Sequence, residues 1–296
     1  MRKTKEGQTK CTLDELNFPV EKVKQTDFDC NKNCAYDIFG YIGAEKTKKR
    51  LNTCSNIYEL VPNNLIFPNV EAILERHGIK FEASYSHTNH ARFYANLVIT
   101  DPRYAYKMKG TSDAVHPLLR GQHSYNGLTK YKIIFGYFRV ICTNGLTVPV
   151  QEMKRFNLSL TGKHTKSILH SLKELDTLLT IFSNEAKQIT KAITDKFEIL
   201  GGRAVVKLED RVKDVLTQNK IGMIENQNFN TVMNIVNRIN KEANDTSLGY
   251  KGRVNDWLVY NGINQYLNDD ALNISSPEKR QEVDSKIFEY MLANAA

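Results

Sequence analysis

The sequence has no long apolar run. A helix that crosses a bilayer needs about 20 consecutive apolar residues, and no segment of the chain approaches that length. The first residues, MRKTKEGQTK, are charged and are not followed by the apolar stretch of a secretory signal. We therefore expect a cytoplasmic protein that does not bind a membrane.

The chain also lacks the short motifs of common catalytic sites. It contains no P-loop, no GxGxxG fingerprint, no nucleophile elbow and no nuclease-type carboxylate cluster. His87 and His90 fall on a predicted turn and strand without an adjacent glutamate, so the helical geometry of zinc proteases is absent. A polar turn is the favoured interpretation. An enzyme site built from these histidines and Arg139 remains an alternative.

Cysteine is scarce and unevenly placed. Four of the five cysteines lie in the first 54 residues, and the fifth is Cys142. An odd count without a secretory signal favours free thiols in a reducing compartment. A four-thiolate zinc site is the alternative, although strong zinc signatures pair two short knuckles and only one short pair occurs among Cys11, Cys30, Cys34 and Cys54. We expect no metal and no other cofactor.

Positive charge is the clearest signal in what the chain does contain. The formal net charge is +8. Residues 1–60 hold 11 Lys and Arg against 9 Asp and Glu, residues 61–160 hold 12 against 6, and residues 161–296 hold 18 against 18. An excess concentrated in the middle third suits a polyanionic partner. A surface charged for solubility is the alternative.

Two pairs of segments have the pattern of β-hairpins. Apolar and polar residues alternate over 79–85 and 90–99, with a turn at 86–89 between them. Residues 116–125 and 131–142 form a second pair across Asn126-Gly127, and the second of these segments is apolar on both faces, which is typical of a central strand. A short helix from Asn69 to His77, stopped by Gly78, precedes the hairpins.

After Pro149 the apolar residues recur at spacings of three and four, which predicts one amphipathic helix over residues 165–198. Its seam comprises Ile168, Leu172, Leu175, Leu179, Phe182, Ala186, Ile189 and Ile193. Packing of this seam on the sheet, with contacts to Phe81, Phe93 or Leu97, is favoured over self-association. Shorter helices are predicted near 205–219, 228–243, 254–267 and 277–293.

The sequence therefore predicts an α+β fold. An antiparallel β-hairpin core is covered by the long amphipathic helix and followed by a helical C-terminal region. Three segments result: a polar N-terminal arm with one or two short elements over 1–60, the basic β core and long helix over 61–200, and the helical region over 201–296.

Cations and aromatic residues are interleaved in the middle third, on the polar face of 90–98 and in the following loop, DPRYAYKMK at 101–109. This suits a single-stranded nucleic acid, because cations meet phosphates while rings stack on unpaired bases. Phosphate contacts are assigned to Arg92, Arg103, Lys107, Lys109, Lys132 and Arg139, and stacking to Tyr94, Tyr104 and Tyr106. The alternative is that Tyr104 and Tyr106 simply cover the edge of the core.

The stretch GYFRVICTNGL at 136–146 resembles the GFRxxCxNG(L/M) signature of a phage- and plasmid-related family of unknown function. Gly162-Lys163-His164-Thr165 is similar to that family's basic His-Thr element. The resemblance implies a role in replication, recombination or defence of a mobile element in a bacterial host. The order of elements also resembles the core of phage single-strand annealing proteins, which assemble into rings or filaments around a basic groove.

These observations together favour a DNA-binding protein of a phage or plasmid that binds or anneals single strands in recombination or replication, with a homo-oligomer as one possible assembly. A non-catalytic interaction or structural factor of a mobile element, using the long helix, is the first alternative. An enzyme of unknown type is the second.

Overall fold

The computed structural model describes residues 8–25, 36–107, 109, 111, 114–129, 131–139, 145–146, 160–162, 165–219, 226–245, 254–268 and 277–294. The chain divides into two compact units. The first takes its residues from Met1–Asp101, Leu119–Phe135 and Phe156–Asn184, and the second from Pro102–Leu118, Gly136–Arg155 and Glu185–Ala296.

The architecture is α+β, with antiparallel strands followed by a helical C-terminal region. The strands are β1 Gln8–Cys11, β2 Val20–Lys24, β3 Tyr36–Ile42, β4 Thr47–Cys54, β5 Phe81–Thr88, β6 Arg92–Ile99, β7 Tyr106–Lys107, β8 Ala114–Ser124, β9 Tyr131–Arg139, β10 Gly145–Leu146 and β11 Leu160–Gly162. The helices are α1 Leu13–Leu16, α2 Phe67–Arg76, α3 Thr165–Gly202, α4 Leu208–Gln218, α5 Asn226–Asp245, α6 Asp256–Asn268 and α7 Pro277–Ala293.

The hairpin of β5 and β6 forms the centre of the first unit. Its antiparallel register runs from Phe81 opposite Ile99 to Thr88 opposite Arg92. The predicted alternation is confirmed on β6, whose inward side chains, Phe93, Ala95, Leu97 and Ile99, are at most 2% exposed. Polar residues alternate with them, as expected of a sheet that buries one face.

The turn of this hairpin lies later in the chain than the sequence predicts. Residues 86–88 belong to β5, and the reversal is made by Asn89 and His90, which have φ angles of +52° and +57°. Asparagine tolerates the left-handed region because its short polar side chain bonds locally. The predicted turn at 86–89 therefore lies too early in the chain. The pairing register of the two strands shifts with the turn.

The other sheet neighbours follow the sequence more closely. The strand order is β1-β5-β6-β8-β9, and β9 has partners on both sides, which confirms it as an interior strand. The turn between β8 and β9 contains Gly127 at φ +69°, a conformation that glycine adopts without strain.

The described N-terminal residues, 8–25 and 36–54, form more secondary structure than the predicted arm with one or two short elements. They include β1, a helix that begins with a capping box between Thr12 and Glu15, and a separate three-stranded sheet in the order β2-β3-β4. The sheet escaped prediction because β3 carries apolar or aromatic residues on both faces and is interrupted by Gly40. No simple period of two results.

Phe18 packs this N-terminal region into the first unit. Its ring centroid lies 5.9 Å from that of Phe93 and 6.0 Å from that of Tyr125. Asn63 donates a 2.9 Å hydrogen bond to the carbonyl of Leu16. The residues before β2 therefore complete the core around the main hairpin.

The predicted short helix exists, but it begins at Phe67 rather than after Asn69. Pro68 stands in its first turn, where the missing N–H costs no helix bond. Asn69 is inside the helix, and its side-chain amide donates to the carbonyl of Leu65. Gly78 follows the end at φ +61°, as predicted.

The long helix, α3, is confirmed and extends four residues beyond the prediction, into Gly201 and Gly202. The described part of its seam is buried at 1–6% exposure: Ile168, Leu172, Leu175, Leu179 and Phe182. Ala186, Ile189 and Ile193 lie outside the side chains that the structure describes. The contacts of the seam with Phe81, Phe93 or Leu97 stay a prediction.

The four predicted C-terminal helices are present as α4 to α7, and α7 begins at Pro277 as expected. Trp257 is fully buried among aromatic rings, 4.8 Å from that of Phe197 between centroids. Beside it, the fully buried carboxylate of Asp256 accepts two 2.9 Å hydrogen bonds from Arg211. Among the described helices, none combines the length and the apolar character that a bilayer-spanning segment requires.

Replacing Leu175 with aspartate should unfold the protein. Leu175 is 1% exposed, and truncation of a buried leucine alone costs about 2–5 kcal/mol, to which an unpaired buried charge adds. We expect loss of the cooperative thermal transition measured by circular dichroism. Leu169→Asp is the matched control, because Leu169 lies on the same helix at 51% exposure, and it should keep the transition. A folded Leu175→Asp protein of smaller size would instead make the seam an oligomer interface.

Candidate nucleic-acid interface

The outward side of β6 carries the first group of predicted contact residues. Arg92 and Tyr94 alternate with the buried Phe93 and Ala95, so both point to the opposite side of the sheet. Both are half-buried. Asn96 continues the same row, and we call this surface, defined by Arg92, Tyr94 and Asn96, the polar face.

Neighbouring strands extend the polar face. Ser86 of β5 lies opposite Tyr94 and also opposite Lys10 of β1, so the three residues form one row across the sheet. Lys10 is exposed. On the other side, Arg120 of β8 donates a 3.1 Å hydrogen bond from Nε to Oδ1 of Asn96. The polar face therefore combines a tyrosine with cations from three strands.

A second group lies in the second unit, in residues 103–109, which we call the basic loop. Arg103, Lys107 and Lys109 are all exposed. The guanidinium carbon of Arg103 lies 5.2 Å from the ring centroid of Tyr104. Three cations thus occur within seven residues on a surface that a polyanion can reach.

A single carboxylate oxygen holds the basic loop. Oε1 of Glu198, on α3, accepts a hydrogen bond from the hydroxyl of Tyr106 and a 2.7 Å bond from the backbone N–H of Lys109. The ring of Tyr106 stacks on Phe197, with centroids 6.2 Å apart and planes at 29°. Burial and Glu198 together raise the pKa of Tyr106. We call this arrangement the Glu198 clamp; it fixes the backbone and leaves the ammonium groups of Lys107 and Lys109 exposed.

These positions change the roles of two tyrosines. Tyr104 is 3% exposed, so its ring has no open face for a base, and the stacking role assigned to it is withdrawn. Tyr106 is engaged in the Glu198 clamp and positions the loop. Tyr94 keeps a partly exposed ring. The sequence could not tell Tyr104 from Tyr106, because residues 101–109 have no period that distinguishes inward from outward side chains.

The two remaining predicted residues lie on β9. Lys132 is half-buried and lies opposite Thr161 of β11. Arg139 ends the strand, and its side chain lies outside the described part of the structure. The described predicted residues therefore fall into two groups, one in each unit.

His87 and His90 form a packed pair at the tip of the main hairpin. Their rings stack with centroids 3.9 Å apart, and the backbone N–H of His90 donates to Nδ1 of His87. His87 is 5% exposed. Burial, followed by the charges of His87 and Lys49, lowers the pKa of His90 to about 4. Two neutral, stacked rings suit packing better than acid–base chemistry near neutral pH.

Cys11 and Cys54 have free thiols. Burial and the nearby Glu15 raise the pKa of Cys11 to about 11, which disfavours the nucleophilic thiolate. Cys30, Cys34 and Cys142 lie outside the described residues. Within the described ranges no three His, Cys, Asp or Glu side chains are grouped as a metal site would need.

Sequence reasoning missed Lys10 and Glu198 as parts of the candidate interface. Lys10 belongs to a short strand inside a polar segment, where the period of two is too brief to recognise. Glu198 is 92 residues from Tyr106 along the chain, and no local pattern indicates such a pairing.

The protein is thus an α+β chain that carries cations on two described surfaces, the polar face and the basic loop. Residues 50–285 match the family described as a domain of unknown function, DUF932. The chain therefore belongs to that family. No curated protein and no solved structure matches the chain. The matched region contains the main hairpin, the basic loop and α3, whereas β1 to β3 precede it.

Acid should destabilise the protein through its buried histidines. Burial lowers the pKa of His123, like that of His90, to about 4. The pKa values of these histidines in the folded protein lie below that of an unfolded histidine. Their contribution to the free energy of unfolding is therefore fully present above about pH 6.5 and is lost as the pH falls towards 4. Protonation of His123 alone should lower the free energy of unfolding by about 2 kcal/mol between pH 7.5 and pH 5. Urea midpoints at the two pH values measure this loss.

His90→Asn tests the origin of this pH dependence, because asparagine tolerates the positive φ at this position. The variant should lose less stability than the wild type between the two pH values. The matched control is His170→Asn, at an exposed position on α3, and it should behave like the wild type. Equal midpoints at both pH values in the wild type would contradict the assignment.

Proposed function

We propose that this chain binds single-stranded DNA for a phage or plasmid, as a strand-binding or annealing protein in replication or recombination. The observation that carries the proposal is the basic loop, in which Arg103, Lys107 and Lys109 are exposed while Glu198 fixes the backbone between them. Membership of the family assigns no activity, so the two surfaces themselves support the proposal.

Preorganisation makes the basic loop suited to a phosphate backbone. Binding a polyanion with flexible lysines costs side-chain and loop entropy, and a loop that is already held loses less of it. The Glu198 clamp uses the backbone N–H of Lys109 and leaves its ammonium group outside the clamp. The loop is therefore positioned without neutralising its charge.

The polar face supports the same proposal from the other unit. Single-strand binding proteins combine backbone-tracking cations with aromatic rings on which bases stack. Tyr94 lies in a row with Lys10 and beside Arg92 on a half-exposed sheet surface. A contact of this kind tolerates any base, because every base has a stacking face.

Two further features bear on the origin and the assembly. The GYFRVICTNGL stretch resembles the signature of phage- and plasmid-related proteins. The order of a short helix, antiparallel hairpins and a long helix resembles the core of phage single-strand annealing proteins, which assemble into rings or filaments. On this basis we include a homo-oligomer in the proposal.

The two alternatives have less support. An interaction factor would use the seam of α3, but the five described seam residues, from Ile168 to Phe182, are already buried in the single chain. An enzyme would use His87 and His90, whose stacked rings have lowered pKa values. The side chain of Arg139, the third member of that set, lies outside the described residues.

Removing the cations of the basic loop should weaken the salt dependence of binding. For single strands, the logarithm of affinity falls with the logarithm of salt concentration by about 0.7 per phosphate contact, so three contacts contribute a slope of about two. We expect the variant Arg103→Ala/Lys107→Ala/Lys109→Ala to have a slope that is smaller by this amount. Fluorescence anisotropy titrations of oligothymidine over a series of salt concentrations measure the slope. The wild type should bind duplex DNA more weakly.

The matched control removes three exposed cations elsewhere, Lys207, Arg238 and Lys286. It changes the net charge equally and should leave the slope close to that of the wild type. Equal slopes in all three proteins would remove the basic loop from the interface. No binding of the wild type at low salt would overturn the proposed function.

Glu198→Ala separates positioning from simple electrostatics. Loss of a negative charge beside three cations should tighten DNA binding if charge alone matters. If the loop must be ordered before binding, the variant should bind about three- to tenfold more weakly, because a loop without the Glu198 clamp loses conformational entropy when it binds DNA. We expect the weakening. The control is Asp195→Ala, which makes the same change of charge at an exposed position three residues before Glu198 on α3. It should not weaken binding.

A further inference from the structure

The outer side of the three-stranded sheet brings aromatic rings and cations together. Across β3 and β4, Tyr41 lies opposite Lys48 and Phe39 lies opposite Arg50, while Glu21 of β2 lies opposite Phe39 on the other side. Opposed residues of antiparallel strands share a face. These five side chains therefore form one surface.

The other side of this sheet is packed into the first unit. Ile38 is fully buried, and a Cβ at Gly40 would lie 2.6 Å from the ring of Phe18, so the strand sits directly on that ring. Phe39 and Tyr41 alternate with these residues and point away from the core. Both are half-buried, so each ring keeps an accessible part.

Lys48 lies over both rings. Its Nζ is 4.4 Å from the ring centroid of Phe39 and 5.8 Å from that of Tyr41. Glu21 holds this arrangement: it accepts a 2.6 Å hydrogen bond from the Tyr41 hydroxyl and forms a 2.7 Å ion pair with Lys48. As in the Glu198 clamp, a carboxylate binds a tyrosine hydroxyl, and here it also holds an ammonium group beside the ring.

The cations of this surface can exchange their carboxylate partners for the phosphates of a polyanion. The side chains of Lys48 and Arg50 are 48% and 57% exposed in their ion pairs with Glu21 and Asp37. An ion pair that is exposed at both partners, such as that of Lys48 with Glu21, contributes little stability. The strands and turn at 20–24 and 36–54 hold six Lys and Arg against three Asp and Glu, a net charge of +3. That balance is complementary to a phosphate backbone.

We propose that Phe39 and Tyr41, with Lys48 and Arg50, form an aromatic platform that stacks the bases of a single-stranded DNA. Rings two residues apart on one strand are roughly 7 Å apart, a spacing at which two unstacked bases can each lie on one ring. Lys48 and Arg50 leave their carboxylates and bind the flanking phosphates. This inference rests on the proposed function and adds a base-binding surface to it, on strands that begin before the family match.

The salt dependence of binding distinguishes this platform from the basic loop. Phe39→Ala/Tyr41→Ala should reduce affinity for oligothymidine by about five- to hundredfold per ring. The slope against salt should stay that of the wild type, because stacking releases no counterions. The basic-loop triple variant should show the opposite pattern, with a reduced slope.

Matched variants control for loss of structure. Tyr41→Phe keeps the ring and loses the hydroxyl, so it should retain most of the affinity, and Val23→Ala on the same face should have no effect. If the double alanine variant shows a lowered thermal midpoint, Phe39→Leu/Tyr41→Leu replaces it, because leucine keeps much of the apolar volume but offers no ring to stack on. Wild-type affinity in a folded Phe39→Leu/Tyr41→Leu protein would overturn the platform.

Photocrosslinking gives a positive readout. An oligonucleotide with 5-iododeoxyuridine should crosslink to the peptide containing Phe39 and Tyr41, as mass spectrometry would show. Crosslinks confined to other peptides, with wild-type DNA binding intact, would exclude the platform but leave the proposed function standing. Failure of the wild type to bind any single strand would remove both.

Discussion

The register of the hairpin between β5 and β6 is the constraint on which the first unit depends. Because side chains alternate with a period of two, this register directs Phe93, Ala95, Leu97 and Ile99 into the core and Arg92 and Tyr94 to the polar face. A slip by one residue would exchange the two sets. The left-handed turn at Asn89 and His90, with the stacked histidine rings beside it, sets where the strands meet.

Carboxylates have a similar part in both units. Glu198 binds a tyrosine hydroxyl and a backbone N–H of the basic loop, while Glu21 binds a tyrosine hydroxyl and the ammonium of Lys48. In each case an acid orders a segment rich in cations while most of the positive charge remains on the surface. Ordering of this kind reduces the entropy that a later partner must remove.

The sequence was sufficient where a repeating pattern is long. The alternation of β6 and the seam of α3 both run over several repeats, so element type and most bounds followed from them. It was insufficient for β3, where Gly40 and rings on both faces obscure the period, and for the basic loop, where no period exists. The pairing of Tyr106 with Glu198 depends on a contact between distant parts of the chain, which local patterns do not encode.

The family match begins inside β4, at residue 50, and this has a consequence for any shortened form of the protein. A chain cut there would keep residues 50–54 of β4 but lose β3, leaving a strand edge with unpaired N–H and C=O groups. Phe18 would be lost as well, uncovering the rings of Phe93 and Tyr125. Bare edges and exposed rings promote association between molecules. The boundary of the family is therefore not a boundary at which this chain can fold cleanly.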